Sequence, residues 1–205
     1  MAIKNIIFDL GGVLLNLDFG KTATAFTELG VQDFNDYFTQ YHADPLFKQL
    51  EIGEVVGDNF YDDLREKAKI AAGNNEIDTA WNAMLLDFPP ERIRRLQKLA
   101  GEYRLFLFSN TNAIHHAAFH HRFREDFGFE FDSLFEKAYY SHLIAQRKPD
   151  LEAFVFVIKD SGTVPGETLF IDDTLPNIKA ASEAGLYAGL VTPDKDVLQV
   201  LDEHL

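Results

Sequence analysis

An α/β fold built around a parallel sheet is what this sequence predicts, from three observations. Short apolar runs stop abruptly at polar residues, helical patterns separate those runs, and the polar residues that end them are types able to do chemistry. The clearest runs are residues 3–10 (IKNIIFDL), 103–108 (YRLFLF) and 168–171 (TLFI). They lack the alternation of a half-exposed strand, as expected where helices cover both faces of a sheet. Weaker strand candidates are 137–140 and 186–191.

Between the strands, Pro89-Pro90-Glu91 opens a helix through residue 100, with Ile93, Leu96 and Leu99 on one side and Gly101 as its stop. Residues 114–123 read as another. Pro149-Asp150 leads into a helix over 151–160 that Gly162 ends, and Leu175-Pro176-Asn177 opens one over 178–184 that Gly185 closes. Strands alternating with helices imply right-handed crossovers. Residues 18 to about 87 break the rhythm, with helical patterns at 19–29, 34–41, 54–71 and 77–84 and no convincing strand. This section, which carries the lone Trp81, is expected to be a folded helical insert between the first strand and the rest of the sheet.

At 205 residues the chain suits one domain with a small insert, and 46% hydrophobic residues suffice for a core. The net charge of −14 repels polyanions, and no basic patch offsets it, so neither a nucleic acid nor a membrane is an expected partner. The absence of cysteine excludes disulfides and thiolate metal sites and fits a cytoplasmic protein. Asp9 interrupts the N-terminal apolar run before it reaches secretory length, and no stretch approaches the ~20 apolar residues of a membrane span. A monomer or homodimer acting on a small molecule is expected.

Four clusters lie just past predicted strand ends, where open parallel sheets bind ligands. In Asp9-Leu10-Gly11-Gly12-Val13 a carboxylate is followed by two glycines, a turn whose amides can cradle phosphate oxygens. Ser109-Asn110 offers a hydroxyl and an amide. Arg147-Lys148-Pro149 sets a cation before a proline-initiated helix, and Asp172-Asp173 places two acids side by side. Adjacent carboxylates repel unless a cation neutralises them, and magnesium prefers such oxygens. Together the clusters supply a carboxylate nucleophile, a metal site, a lysine and a hydroxyl, which is a phosphoryl-transfer set.

The order of these motifs resembles the haloacid dehalogenase-like hydrolase superfamily, subfamily I with a type-1 helical cap. Within it, the resemblance is to the Asp-x-Gly subgroup that includes the α-D-glucose-1-phosphate phosphatase. The resemblance implies a Rossmann-like three-layer core over 1–17 and 88–205 and a cap over 18–87. It also implies that Asp9 attacks phosphorus to form an aspartyl-phosphate that water hydrolyses. Magnesium would bind Asp9, the Gly11 carbonyl and Asp172, with Asp173 a ligand or bridged through water. Ser109 and Lys148 would hold the phosphoryl oxygens, with Gly11, Gly12 and Asn110 also at the substrate. The expected substrate is a small phosphorylated metabolite such as a sugar phosphate.

One departure from the family pattern stands out. Most of its phosphatases carry a second Asp two positions after the nucleophile as general acid, and that position is Gly11. Asp18 or a cap residue is then a candidate proton donor. The departure also leaves two alternatives open, a metal-independent haloacid dehalogenase and a degenerate phospho-ligand binder.

Taken singly, each residue has a plainer reading: Asp9 as a turn residue, Asp173 as a helix cap, Lys148 as a surface lysine. Asn110 and Asn177 suit supporting or capping roles. His115, His116, His120 and His121 crowd one helix, more simply a helix face than a metal site. Of the insert's aromatics, Phe19, Tyr41, Phe47 and Trp81 are candidates for a substrate lid, with core packing the simpler role.

Overall fold

The structure is a computed structural model that describes residues 2–205. Strand β1 (Asn5–Phe8) is followed by four helices, α1 (Phe19–Glu28), α2 (Pro45–Glu51), α3 (Asp58–Ala68) and α4 (Asn74–Asn82). Then come α5 (Pro90–Leu99), β2 (Arg104–Ser109), α6 (Ala113–Phe127), β3 (Lys137–Tyr140) and the one-turn α7 (Ser141–Ile144). The chain closes with α8 (Leu151–Ser161), β4 (Thr168–Asp172), α9 (Leu175–Glu183), β5 (Tyr187–Leu190) and α10 (Val197–His204). All strand pairs are parallel, in the order β3-β2-β1-β4-β5.

The apolar runs explain this architecture. Each residue of β1 is buried, and successive side chains serve opposite faces of the sheet. Ile6, Phe8, Leu105, Leu107, Leu169 and Ile171 join one core, whereas Ile7, Phe106, Phe108 and Phe170 join another. Helices α5, α6 and α10 pack on the first face; α8 and α9 pack on the second through Phe154, Val157 and Ala181. A buried side chain of this size contributes about 1.5–3 kcal/mol, so two apolar faces are what hold the three layers together.

Strand order reverses between β1 and β4, since the chain winds from β1 to β3 on one side and from β4 to β5 on the other. That reversal opens a crevice at the carboxyl ends of the two strands. Phe8 is level with Ile171 and with Leu107, so the residues just beyond are brought to one edge of the sheet.

The section between β1 and α5 is helical as expected, but its elements differ in detail. Residues 34–41 do not form a helix: only Phe34–Asp36 makes a 3-10 turn, and Phe38 and Ala43 form an isolated bridge. Asp33 enters with a left-handed φ of 50°, and Asp44 caps a helix that the apolar spacing alone did not disclose. Asp44-Pro45 is the N-cap and first-turn pair that marks α2. Helix α3 starts only at Asp58, behind Gly53 and Gly57 at positive φ. Helix α6 runs longer than its periodicity suggests, from the Asn112 cap to Gly128 at φ 78°. Phe26, Phe34, Phe47 and Trp81 pack ring against ring and belong to the same core as the first sheet face. Among the described residues, no helix is long and apolar enough to cross a membrane.

Candidate active site

Asp9 sits one residue past β1, its amide donating to the Ile171 carbonyl at 2.8 Å, which ties it to the end of β4. Its carboxylate is almost wholly buried. Lys148, only 1% exposed, reaches in from the loop before α8, with Nζ 2.8 Å from Asp9 Oδ1 and 2.7 Å from Asp172 Oδ2. A lysine buried to that degree is stable only where carboxylates pair with it.

Asp172 is completely buried and accepts from Lys148, from the amide and hydroxyl of Thr174, and from Asn177 Nδ2. Four donors leave this side chain a single orientation. Asp173 faces the cavity and accepts from Gln40 Nε2 at 2.8 Å. One carboxylate oxygen from each of Asp9, Asp172 and Asp173 lies within 4.8 Å of the other two.

So many carboxylates around one lysine leave uncompensated negative charge. Burial lifts the Asp9 carboxyl well above the usual carboxylate range, and Asp172 and Asp173 add to the effect against Lys148. Burial, then Asp172, raises Asp173 to about 6. For Lys148, burial alone would lower the pKa, but Asp172 and Asp9 outweigh it and hold the ammonium above its ordinary value. Such a cluster suits a small divalent cation with oxygen ligands.

The other residues singled out in the sequence divide. Ser109, the last residue of β2, is buried at the cavity wall. Asn110 also lines the cavity, but its amide grips the Lys148 backbone in both directions, accepting from the Lys148 amide at 2.9 Å and donating to its carbonyl at 2.8 Å. Gly11 lies on the cavity wall. Gly12 does not cradle an anion with its amide, which donates to the Leu15 carbonyl at 2.9 Å. The glycine there answers to a different demand: φ is +71°, and an added Cβ would lie 2.2 Å from Asp173 Oδ2. Gly12→Ala is therefore expected to displace Asp173, lowering divalent-metal affinity by about tenfold or more in a titration.

At Gly11, where no acid stands two residues after Asp9, a Cβ would approach Leu17 Cδ1 to 2.6 Å, so a side chain there requires Leu17 to move aside. Asp18 does not replace the missing acid either. It caps α1, accepting from the Gly20 amide at 3.0 Å, and it borders a separate shallow depression.

A cavity of about 360 Å³ opens above these residues. Its far wall comes from the helical section, with Phe19, Gln40, Tyr41 and Glu51 among its residues. Phe47 and Trp81 are core residues instead, and His115 stacks on Trp81 with Nε2 3.0 Å from the Trp81 carbonyl. His116 and His120 pack against Tyr140. Thr174, Gln40 and Glu51 were not singled out in the sequence. Thr174 had a signal, two residues after Asp172 at a helix start; the other two had none.

The family model for haloacid dehalogenase-like hydrolases matches residues 3–185. The chain belongs to that family. This haloacid dehalogenase-like hydrolase is 33% identical over 184 residues to the D-ribitol-5-phosphate phosphatase of Bacteroides thetaiotaomicron, covering 89% of each chain. It is 29% identical to a sesquiterpene phosphatase of Aspergillus oryzae, over 90% of this chain and 88% of the other. Among solved structures, a family enzyme from Bacteroides thetaiotaomicron in complex with magnesium and inorganic phosphate superposes with a TM-score of 0.83 at 34% identity, over 95% of this chain and 97% of that one. The five-stranded sheet and its flanking helices are thus the fold of this family.

Proposed function

We propose that this hydrolase is a magnesium-dependent phosphomonoesterase that uses Asp9 as nucleophile on a phosphorylated sugar alcohol or related sugar phosphate. The observation that carries the reading is the Lys148 ammonium held between Asp9 and Asp172, with Asp173 close enough for all three carboxylates to share one cation. The magnesium and phosphate held by the Bacteroides thetaiotaomicron relative support it, as does the activity named for the D-ribitol-5-phosphate phosphatase.

In this reading Asp9, Asp172, Asp173 and the Gly11 carbonyl hold magnesium, which supplies neutralising charge for both Asp9 and a phosphoryl group. Lys148 keeps Asp9 ionised and oriented. One Asp9 oxygen attacks phosphorus, the bond to the leaving-group oxygen breaks, and an aspartyl-phosphate forms. The leaving-group oxygen takes its proton from a water molecule in the cavity, and a second water attacks the acyl phosphate, which releases inorganic phosphate and restores the Asp9 carboxylate. Ser109 and Lys148 donate to the phosphoryl oxygens as charge builds on them. Asn110 serves by fixing the Lys148 backbone. Residues 1–17 and 88–205 act as the catalytic core, and 18–87 act as a cap whose closure excludes water.

Magnesium should support phosphate release from ribitol 5-phosphate, and full chelation should reduce it at least about 100-fold, with recovery on adding the metal back. Release that survives chelation would overturn the metal's role. No release from any phosphomonoester with magnesium present would mean a protein that binds phosphorylated ligands without turning them over.

A further inference from the structure

Helix α2 presents an apolar face of Leu46, Phe47 and Leu50 to the core, and then ends in a buried acid. Glu51 is 6% exposed, and the part of it that remains accessible lies on the wall of the cavity above Asp9. Its Oε2 sits 2.8 Å from Nη2 of Arg147, the residue just before Lys148, and Arg147 lines the same cavity. Gly53 seats the end of α2, since a Cβ there would lie 2.4 Å from the His142 carbonyl oxygen.

As a device for stability this pair is poor. Desolvation of a buried ion pair offsets most of its attraction, and apolar side chains of like size usually serve as well or better. Arg147 Nε is moreover buried without a hydrogen-bond partner. Burial raises the Glu51 pKa, and Arg147 acts against that. A group held at such a disadvantage beside a reaction centre calls for a ligand as its explanation.

The chemistry of that ligand follows from charge. Glu51 repels phosphate, so it does not serve the phosphoryl end. Arg147 already balances its charge, so a cationic ligand would meet repulsion as well as attraction. What remains is a neutral hydrogen-bond donor. With Oε2 turned to Arg147, Oε1 is the oxygen available to it.

We propose that Glu51, held by Arg147, is a specificity-determining residue that accepts hydrogen bonds from the hydroxyl groups of the leaving alcohol. The proposal rests on the phosphomonoesterase reading and adds to it the side chain that selects polyhydroxylated leaving groups. A site built to pair a hydroxyl rejects an analogue without one, because its buried acceptor is then left unsatisfied.

The test compares kcat/KM for ribitol 5-phosphate and for glucose 1-phosphate with kcat/KM for p-nitrophenyl phosphate, whose leaving group offers no such hydroxyls. In Glu51→Leu the ratio of polyol phosphate to p-nitrophenyl phosphate should fall roughly 10- to 100-fold, chiefly through KM. The double variant Glu51→Leu, Arg147→Met replaces both charges with apolar atoms. It should show the same fall even if the single variant folds poorly. An unchanged ratio, or an equal loss on every substrate, would overturn the assignment and leave the pair a structural contact. If the unaltered enzyme releases phosphate from none of these esters, the phosphomonoesterase reading itself fails, which is a different result.

Discussion

Asp9→Asn should lower steady-state phosphate release by roughly 10⁴-fold or more, because an amide oxygen is a far weaker nucleophile than a carboxylate and no other acid can take its place. Asp172 is held by Thr174 and Asn177 and lies off the cavity wall, and Asp173 is tied to Gln40. The same substitution should leave the fold intact. Asp9 carries a raised pKa, so its charge is disfavoured in the folded chain, and a neutral isostere relieves repulsion with Asp172 and Asp173. A melting temperature equal to or above that of the unaltered enzyme, alongside lost turnover, would separate a chemical role from a structural one. Substantial retained activity would refute Asp9 as the nucleophile.

The second large effect is expected at Lys148. Lys148→Met keeps a long unbranched side chain but removes the one ammonium that Asp9 and Asp172 share. Stranding buried carboxylates in this way costs about 3–5 kcal/mol, which chemical denaturation in the absence of metal would register. Magnesium binds the folded state and should restore part of that loss by linkage. Catalysis should not recover with stability. With the ammonium gone from the phosphoryl oxygens and only Ser109 left to donate there, turnover should remain down about 10²–10³-fold even at saturating magnesium. Full activity in the metal-loaded variant would show that the lysine serves folding alone.

These two predictions concern residues that were legible in the sequence. Asp9, Ser109, Lys148 and Asp172-Asp173 stand out because apolar runs reveal where strands end, and a parallel sheet gathers its carboxyl ends at one edge. The register then brings together residues far apart in the chain, since Phe8 lies level with both Leu107 and Ile171. The helical section was legible as a class but not in its elements. Aromatic residues at 34, 37 and 38 imitate helical spacing, yet Asp33 turns the chain and the segment closes on itself through the Phe38–Ala43 bridge.

The roles of supporting residues were legible only in part. Asn110 suits either a ligand or a supporting role in sequence, and in the fold it lines the cavity and braces the Lys148 backbone. Gly12 looks like an anion-binding turn, but its amide is engaged by Leu15 and its missing side chain makes room for Asp173.

By itself the sequence determined the layered α/β class of this hydrolase and the candidate residues that end its strands, because both follow from local patterns of apolar and polar residues. Only the tertiary structure decided which groups line the cavity opposite Asp9. Gln40 reaches Asp173 and Glu51 reaches Arg147 over long stretches of chain, and Leu17 closes the space beside Gly11. Such contacts depend on how helices dock on a sheet, and packing of that kind leaves no periodic trace in the residues that make it.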